Sequence, residues 1–265
     1  MTESVDTGPV DAHRVDAPPA LLEAAGGPPR VAREGAVLRV TLDRPREHNR
    51  IDPADLPVLQ AAFERAAEDD AVRVLLLEGS GPRSFCSGYT LQAVADTLDD
   101  RFERMLDALE RLPKPSVCAI QGGVYGGGTD LALCCDLRVG ARGARMFMPA
   151  VRIGLHYHAG GLRRYVTRLG LSAAKRVLLT GDTLSDEEML RIGFLTELVD
   201  GADLQAAVSR NLDALLAGEP RAQSLTKASL EEIAAGTADP AVLRARHEET
   251  LRAPALRERL ARRGG

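Results

Sequence analysis

Gln121-Gly122-Gly123-Val124-Tyr125-Gly126-Gly127-Gly128-Thr129-Asp130-Leu131-Ala132-Leu133-Cys134-Cys135-Asp136 decides how the rest of this 265-residue chain is read. An apolar run, Ser116 to Ile120, leads into it; five of the seven residues from Gly122 to Gly128 are glycine, and a helical pattern follows. The order reads as strand, bare-backbone turn and helix N-terminus, with a carboxylate in the first turn. Glycines there let main chain approach a ligand closely, and free N–H groups at a helix start favour negative charge. Two nucleotide readings fail on spacing: no G-x-G-x-x-G register occurs, and a phosphate loop needs Lys where Gly128 or Thr129 stands. What remains is backbone amides beside one acid, which can hold an oxyanion while a proton moves. A close-packed turn, with Asp130 placed only to favour the helix N-terminus, fits this stretch equally well.

A second stretch, Ser84-Phe85-Cys86-Ser87-Gly88-Tyr89-Thr90-Leu91, follows an apolar strand at Val72–Glu78 and a Gly79-Ser80-Gly81-Pro82 turn. Taken with the glycine stretch, at the separation usual between the two, it resembles the crotonase (enoyl-CoA hydratase/isomerase) superfamily. Leu42-Asp43-Arg44-Pro45 with Asn49 supplies another landmark, and Met148-Pro149 through Gly154-Leu155 to Gly160-Gly161 a fourth. The similarity runs from about Val31 to Leu216. It implies an α/β fold, a crotonase-like repeated ββα spiral core with an all-helical C-terminal module, usually assembled as a homotrimer or hexamer. It also implies an acyl-CoA substrate, with coenzyme A entering as part of that substrate rather than as a separate cofactor.

By the same resemblance, the oxyanion donors are the backbone N–H groups of Tyr89, just after Ser87-Gly88, and of Gly127. Removing one such donor typically costs ~3 kcal/mol of transition-state stabilisation. The adenine would lie along Tyr89, Thr90, Leu91 and Gln92, although most members carry Asp where Thr90 stands. Arg46, His48 and Lys227 can reach the phosphates, and surface solvation explains each as well.

The acid–base positions depart from the family pattern. Hydratases place Glu two residues after the glycine triplet, where this chain has Asp130, and a second Glu after the next motif's proline, where it has Ala150. The two-glutamate addition of water therefore cannot run as usually drawn. Some related isomerases carry Asp at the first position. Isomerases, hydrolases and dehalogenases carry a working acid eight residues beyond the second, which is His158 here. Histidine suits proton transfer near neutral pH, so Asp130 and His158 are expected to flank an acyl-CoA chain and relay a proton across its enolate. The bland alternative is that His158 only caps the following helix. Tyr157 and Tyr125 can donate a proton or line the acyl pocket, with packing favoured for Tyr125, and further wall is expected from a Val94–Met105 helix. His156 and His158 share a face in an extended segment, but no third ligand at motif spacing accompanies them, so no metal is expected. Cys86 lacks a neighbouring base and reads as a buried small hydrophobe rather than a nucleophile.

Composition narrows the rest. Formal charge is −4, from 34 basic and 38 acidic residues, and there is no basic stripe interleaved with aromatics, so nucleic acid is not an expected partner. Cys86, Cys118, Cys134 and Cys135 show no metal spacing and sit in apolar contexts, as reduced thiols of a cytoplasmic protein do. No run reaches the ~20 apolar residues of a membrane span, and no signal peptide is supported at the N-terminus. Residues 1–30 read as a flexible leader, 31–200 as the α/β core and 201–265 as a helical oligomerisation module. Within the core, strands are expected at Val37–Leu42, Val72–Leu77, Ser116–Ile120, Leu137–Val139, Met146–Met148 and Ile192–Val199. Helices are expected from Pro53, over Val94–Leu112, from Thr129, from Gly161, over Leu171–Leu179 and from Ser185, then over 203–217, 220–235 and 239–262.

The leading expectation is thus an acyl-CoA hydratase or isomerase of the enoyl-CoA hydratase type. A hydrolase of acyl-CoA or of a β-diketone carbon–carbon bond is the alternative, because the superfamily does both with the same backbone donors. A non-catalytic thioester-binding member is the third, since loss of the second Glu is what decay looks like. The acyl chain is not legible.

Overall fold

The computed structural model describes residues 26–90, 92–93 and 99–263. The expected leader therefore lies outside the described residues up to position 25, as do Leu91 and residues 94–98 of the expected Val94–Leu112 helix.

Two sheets carry the fold. The larger has the order β1-β2-β3-β5-β7-β10: β1 (Arg30–Glu34), β2 (Val37–Leu42), β3 (Val74–Gly79), β5 (Ser116–Ile120), β7 (Leu137–Ala141) and β10 (Glu197–Val199). β1 and β2 form an antiparallel hairpin, and every later pairing in this sheet is parallel, with Val37 opposite Val74, Leu75 opposite Ser116 and Val117 opposite Leu137. The smaller sheet has the order β4-β6-β8-β9: β4 (Ser84–Cys86), β6 (Gly123–Tyr125), β8 (Arg145–Phe147) and β9 (Leu184–Ser185). Three successive units each give one strand to each sheet and then a helix: β3-β4-α2 (Arg101–Glu110), β5-β6-α3 (Gly127–Leu133) and β7-β8-α4 (Ala159–Leu169). The repetition is a spiral of ββα turns.

Period-2 alternation between two buried faces explains why the central strands β2, β3 and β5 are mostly apolar. Leu38, Val40, Leu75, Leu77, Cys118 and Ile120 face a core shared with α1 (Leu56–Glu68) and α2. Their neighbours Val37, Val74, Leu76, Val117 and Ala119 face a second core shared with Leu204, Ala207, Val208 and Leu212 of α7 (Leu204–Ala217). With helices on both faces, the buried polar side chains of these central strands take partners: Thr41 bonds Glu78, and Ser116 bonds Asp136.

Two expected elements differ in the structure. The strand expected over Ile192–Val199 is confined to Glu197–Val199, because the carbonyls of Gly193 and Phe194 turn to the buried guanidinium of Arg138, at 3.3 and 2.5 Å. The helix expected over 239–262 is two, α9 (Pro240–Arg252) and α10 (Pro254–Arg263), since Pro254 has no N–H and disfavours a helical conformation at Ala253. The closing region also contains α8 (Pro220–Ala235). Between α4 and α7 lie α5 (Leu171–Lys175), a wide turn at Arg176–Thr180, and α6 (Asp186–Arg191), which opens with the expected capping box of Ser185 and Glu188. No helix among the described residues is long and apolar enough to cross a membrane.

Candidate active site

The glycine turn does what its composition demands. Gly126 takes φ +52°, a backbone state side chains disfavour, and gives its N–H to the Phe147 carbonyl at 2.9 Å, so that α3 starts at Gly127. Gly88 has φ +93°, and a Cβ there would lie 2.8 Å from the Gly127 nitrogen. A Cβ on Gly127 would in turn lie 3.5 Å from the Tyr89 nitrogen and 2.8 Å from the Phe102 ring. The two backbone segments are therefore in direct contact. Neither the Tyr89 nor the Gly127 N–H donates to an acceptor among the described residues.

Beside these amides is a cavity of about 270 Å³. Its apolar wall includes Tyr89, Phe102, Tyr125, Phe147, Met148, Ala150, Ile153 and Leu155; Ser87, Asp99, Glu103, His156, Tyr157 and His158 supply its polar groups. Ala150, where the resemblance implies a second glutamate, contributes only a methyl group.

His158 caps α4, its Nδ1 accepting from the Gly161 N–H at 3.2 Å. The nitrogen that accepts carries no proton, so the other, Nε2, donates to Asp130 Oδ2 at 3.0 Å. The capping role and the contact with Asp130 coexist. Tyr157 Oη donates to the same carboxylate oxygen at 3.0 Å, and Arg164 grips both oxygens, Nε to Oδ1 at 2.7 Å and Nη2 to Oδ2 at 3.2 Å. Arg164 also reaches Glu110 at 2.9 Å and Asp107 at 3.3 Å, both on α2. Asp130 and Arg164 are fully buried. Burial alone would push the Asp130 carboxyl up; the His158 hydrogen bond and the Arg164 charge outweigh it and hold it below the usual carboxylate range. Burial and the adjoining carboxylate push the Tyr157 phenol well up, so it remains a donor.

One expectation is thereby corrected. Asp130 and His158 do not stand on opposite sides of a chain in the cavity: they are hydrogen-bonded to each other, and Asp130 lies behind Tyr157 and His158 without lining the cavity. The reason is the ring of three donors around its short side chain. Gly161 permits that approach, since a Cβ there would lie 2.8 Å from Asp130 Oδ2.

The remaining expected residues divide. Ser87, Tyr89, Tyr125 and Tyr157 line the cavity with Gly127. Thr90 lies beside them, its hydroxyl bonding the Ile51 carbonyl at 3.1 Å and the Asp52 carboxylate. Arg46, His48 and Gln92 are exposed, and His48 bonds Ser84 Oγ at 2.7 Å. Lys227 is not at the cavity: it is nearly buried against Asp136, at 2.8 Å, and the Lys114 carbonyl, at 3.2 Å. That pairing corrects its reading as a free phosphate contact in this chain. All four cysteines are free and buried, and burial pushes the Cys86 thiol up to about 12.

Arg164 and Glu103 were not singled out from the sequence. The residues α4 buries are Gly161, Arg164 and Tyr165, whereas Val166 is exposed. The available signal was the i, i+3, i+4 spacing from Gly161 through Arg164 to Tyr165, facing two acids three apart on α2. Glu103 follows Phe102 at the edge of the apolar stripe of α2 and carried no signal.

Comparison with known proteins agrees with this architecture. A sequence profile of the enoyl-CoA hydratase/isomerase family matches residues 32–254, and the chain belongs to that family. It is 31% identical over 211 residues to a carnitinyl-CoA dehydratase of Proteus mirabilis, covering 77% of this chain and 79% of the relative. It is 27% identical over 205 residues to a short-chain-enoyl-CoA hydratase of Clostridium acetobutylicum, covering 75% and 78%. Among solved structures, an enoyl-CoA hydratase of Bacillus anthracis superposes with a TM-score of 0.82 at 25% identity, covering 89% of this chain and 95% of that one.

Proposed function

We propose that this protein converts 2-enoyl-CoA thioesters by hydration or double-bond isomerisation through a thioester enolate. The observation that carries the reading is the pair of unengaged N–H groups, Tyr89 and Gly127, converging beside an apolar cavity that also holds His158. Charge that develops on the thioester oxygen would fall to these two donors, which are already oriented and so need no reorganisation during the reaction. His158 is the proton carrier. Its Nε2–H is anchored on Asp130, which Arg164 keeps ionised. Its Nδ1 holds only a 3.2 Å capping bond that an arriving proton would displace. Asp130 is a positioning residue: it fixes the imidazole and offsets the charge that forms when Nδ1 is protonated.

The test is mass spectrometry of 2-enoyl-, 3-enoyl- and 3-hydroxyacyl-CoA thioesters after incubation with the purified protein. Gain or loss of one water, or an unchanged mass with a shifted double bond, is expected, with turnover lowered roughly 10²–10⁴-fold in His158→Gln. Free coenzyme A as the sole product would replace this reading with a hydrolase; no change in any thioester would leave a non-catalytic member. Exposed Leu230, Ile233, Leu251 and Leu260 on the closing helices support assembly of several copies through that region. A monomeric mass by sedimentation would refute this.

A further inference from the structure

We infer that Glu103, on α2, is the second proton-transfer group of this cavity, doing from a different element the work that Ala150 cannot do. This rests on the thioester reading above. Three observations carry it. Glu103 lines the cavity together with His158, and its Oε2 lies 3.5 Å from His158 Nδ1, the nitrogen not committed to Asp130. Of the three carboxylates at or behind this wall, Asp130 is closed in by Arg164, Tyr157 and His158, and Asp99 is paired with Arg101 at 2.6 Å. Glu103 has His158 as its one ionic neighbour among the described residues, and its side chain is about half exposed at 48%. It is the carboxylate available to exchange a proton with something in the cavity. The preceding residue, Phe102, packs against the amide pair: a Cβ on Gly127 would meet its ring at 2.8 Å, and its centroid is 5.2 Å from that of Tyr89. Glu103 lines the same cavity as Tyr89 and Gly127, beside whose amides the thioester oxygen, and with it the α-carbon, would lie.

In the hydration direction, water adds its oxygen to Cβ and gives one proton to His158 Nδ1. The electron pair of the carbon–carbon double bond moves onto the thioester, its negative oxygen held by the Tyr89 and Gly127 N–H groups. The imidazolium passes the proton to Glu103 Oε2, and Glu103 delivers it to Cα, where the enolate pair forms the C–H bond. Both side chains return to their starting states, and one water has been added.

Full-length Glu103→Gln and Glu103→Asp test the assignment, with two readouts: hydration of crotonyl-CoA, and exchange of the α-hydrogens of butyryl-CoA in D₂O. The second readout needs only the amide pair and a base at Cα. In Glu103→Gln both rates are expected to fall roughly 10²–10⁴-fold, through kcat and not KM, with the melting temperature unchanged. Glu103→Asp, one methylene shorter, is expected to regain part of both. A Glu103→Gln protein within threefold of wild type in α-exchange overturns the assignment, and so does a loss that tracks a drop in melting temperature. Wild-type protein that neither hydrates nor exchanges overturns the thioester reading itself, and the assignment with it.

Discussion

Asp130→Asn removes one charge from a fully buried site while keeping its shape. Three partners address that carboxylate: Arg164 through two nitrogens at 2.7 and 3.2 Å, Tyr157 at 3.0 Å and His158 at 3.0 Å. Breaking a buried ion pair by removing one partner costs ~3–5 kcal/mol, mostly from the charge left behind. Here Arg164 keeps Glu110 at 2.9 Å and Asp107 at 3.3 Å, so its charge is not orphaned and the lower end applies. A loss of about 3 kcal/mol corresponds to a melting point roughly 6–12 °C lower for a chain of this size. The pH dependence has a definite sign. The folded carboxyl titrates below its ordinary value, so its contribution is complete above the unfolded carboxylate range. That contribution is lost only as pH falls through the still lower folded value. The gap between wild type and variant should be flat from about pH 7 to pH 5 and close only below about pH 4. Calorimetry across that range is the assay. A variant melting within about 2 °C of wild type at neutral pH would refute the anchoring role. A gap that closed between pH 7 and 5 would mean the carboxyl is raised and titrates as a working acid.

Gly88→Ala would force a Cβ to within 2.8 Å of the Gly127 nitrogen at φ +93°, and turnover should fall roughly 10²–10³-fold, as on loss of one backbone donor; steady-state kinetics with circular dichroism as a folding control checks it. Lys227→Met should lower stability by roughly 1.5–3 kcal/mol through loss of its charged hydrogen bond to Asp136, measured by urea unfolding, with KM for the thioester within twofold of wild type. The four buried thiols should resist iodoacetamide at pH 8 in the native protein and all react after unfolding, since the fold shields all four from the reagent and burial also suppresses the thiolates of Cys86, Cys118 and Cys134; mass spectrometry counts the adducts.

The glycine turns were legible because a backbone with positive φ selects glycine, as at Gly88 and Gly126, whereas the pairing of the Tyr89 and Gly127 amides came from the resemblance alone. Larger elements were legible by periodicity, and their ends were not. Residues 192–196 are apolar enough for a strand, but the buried Arg138 takes their carbonyls, a competition between segments more than fifty residues apart that no local pattern records. Lys227 looked like a free cation because Asp136, its partner, is remote in sequence. Arg164 was hidden for a related reason. A charged residue on the buried face of a helix looks like a surface residue until α2 supplies Asp107 and Glu110 and α3 supplies Asp130.

Aspartate at 130 and histidine at 158 form one arrangement. Aspartate is shorter by one methylene, so its carboxylate stops inside the wall, where Arg164 and Tyr157 reach it and the cavity does not. A carboxylate so held cannot visit a substrate, but it can hold something that does. His158 spans that gap: one ring nitrogen is fixed on Asp130 and the other stands 3.5 Å from Glu103 at the cavity. Asp130 therefore meets the cavity only through the side chains that hold it, His158 and Tyr157.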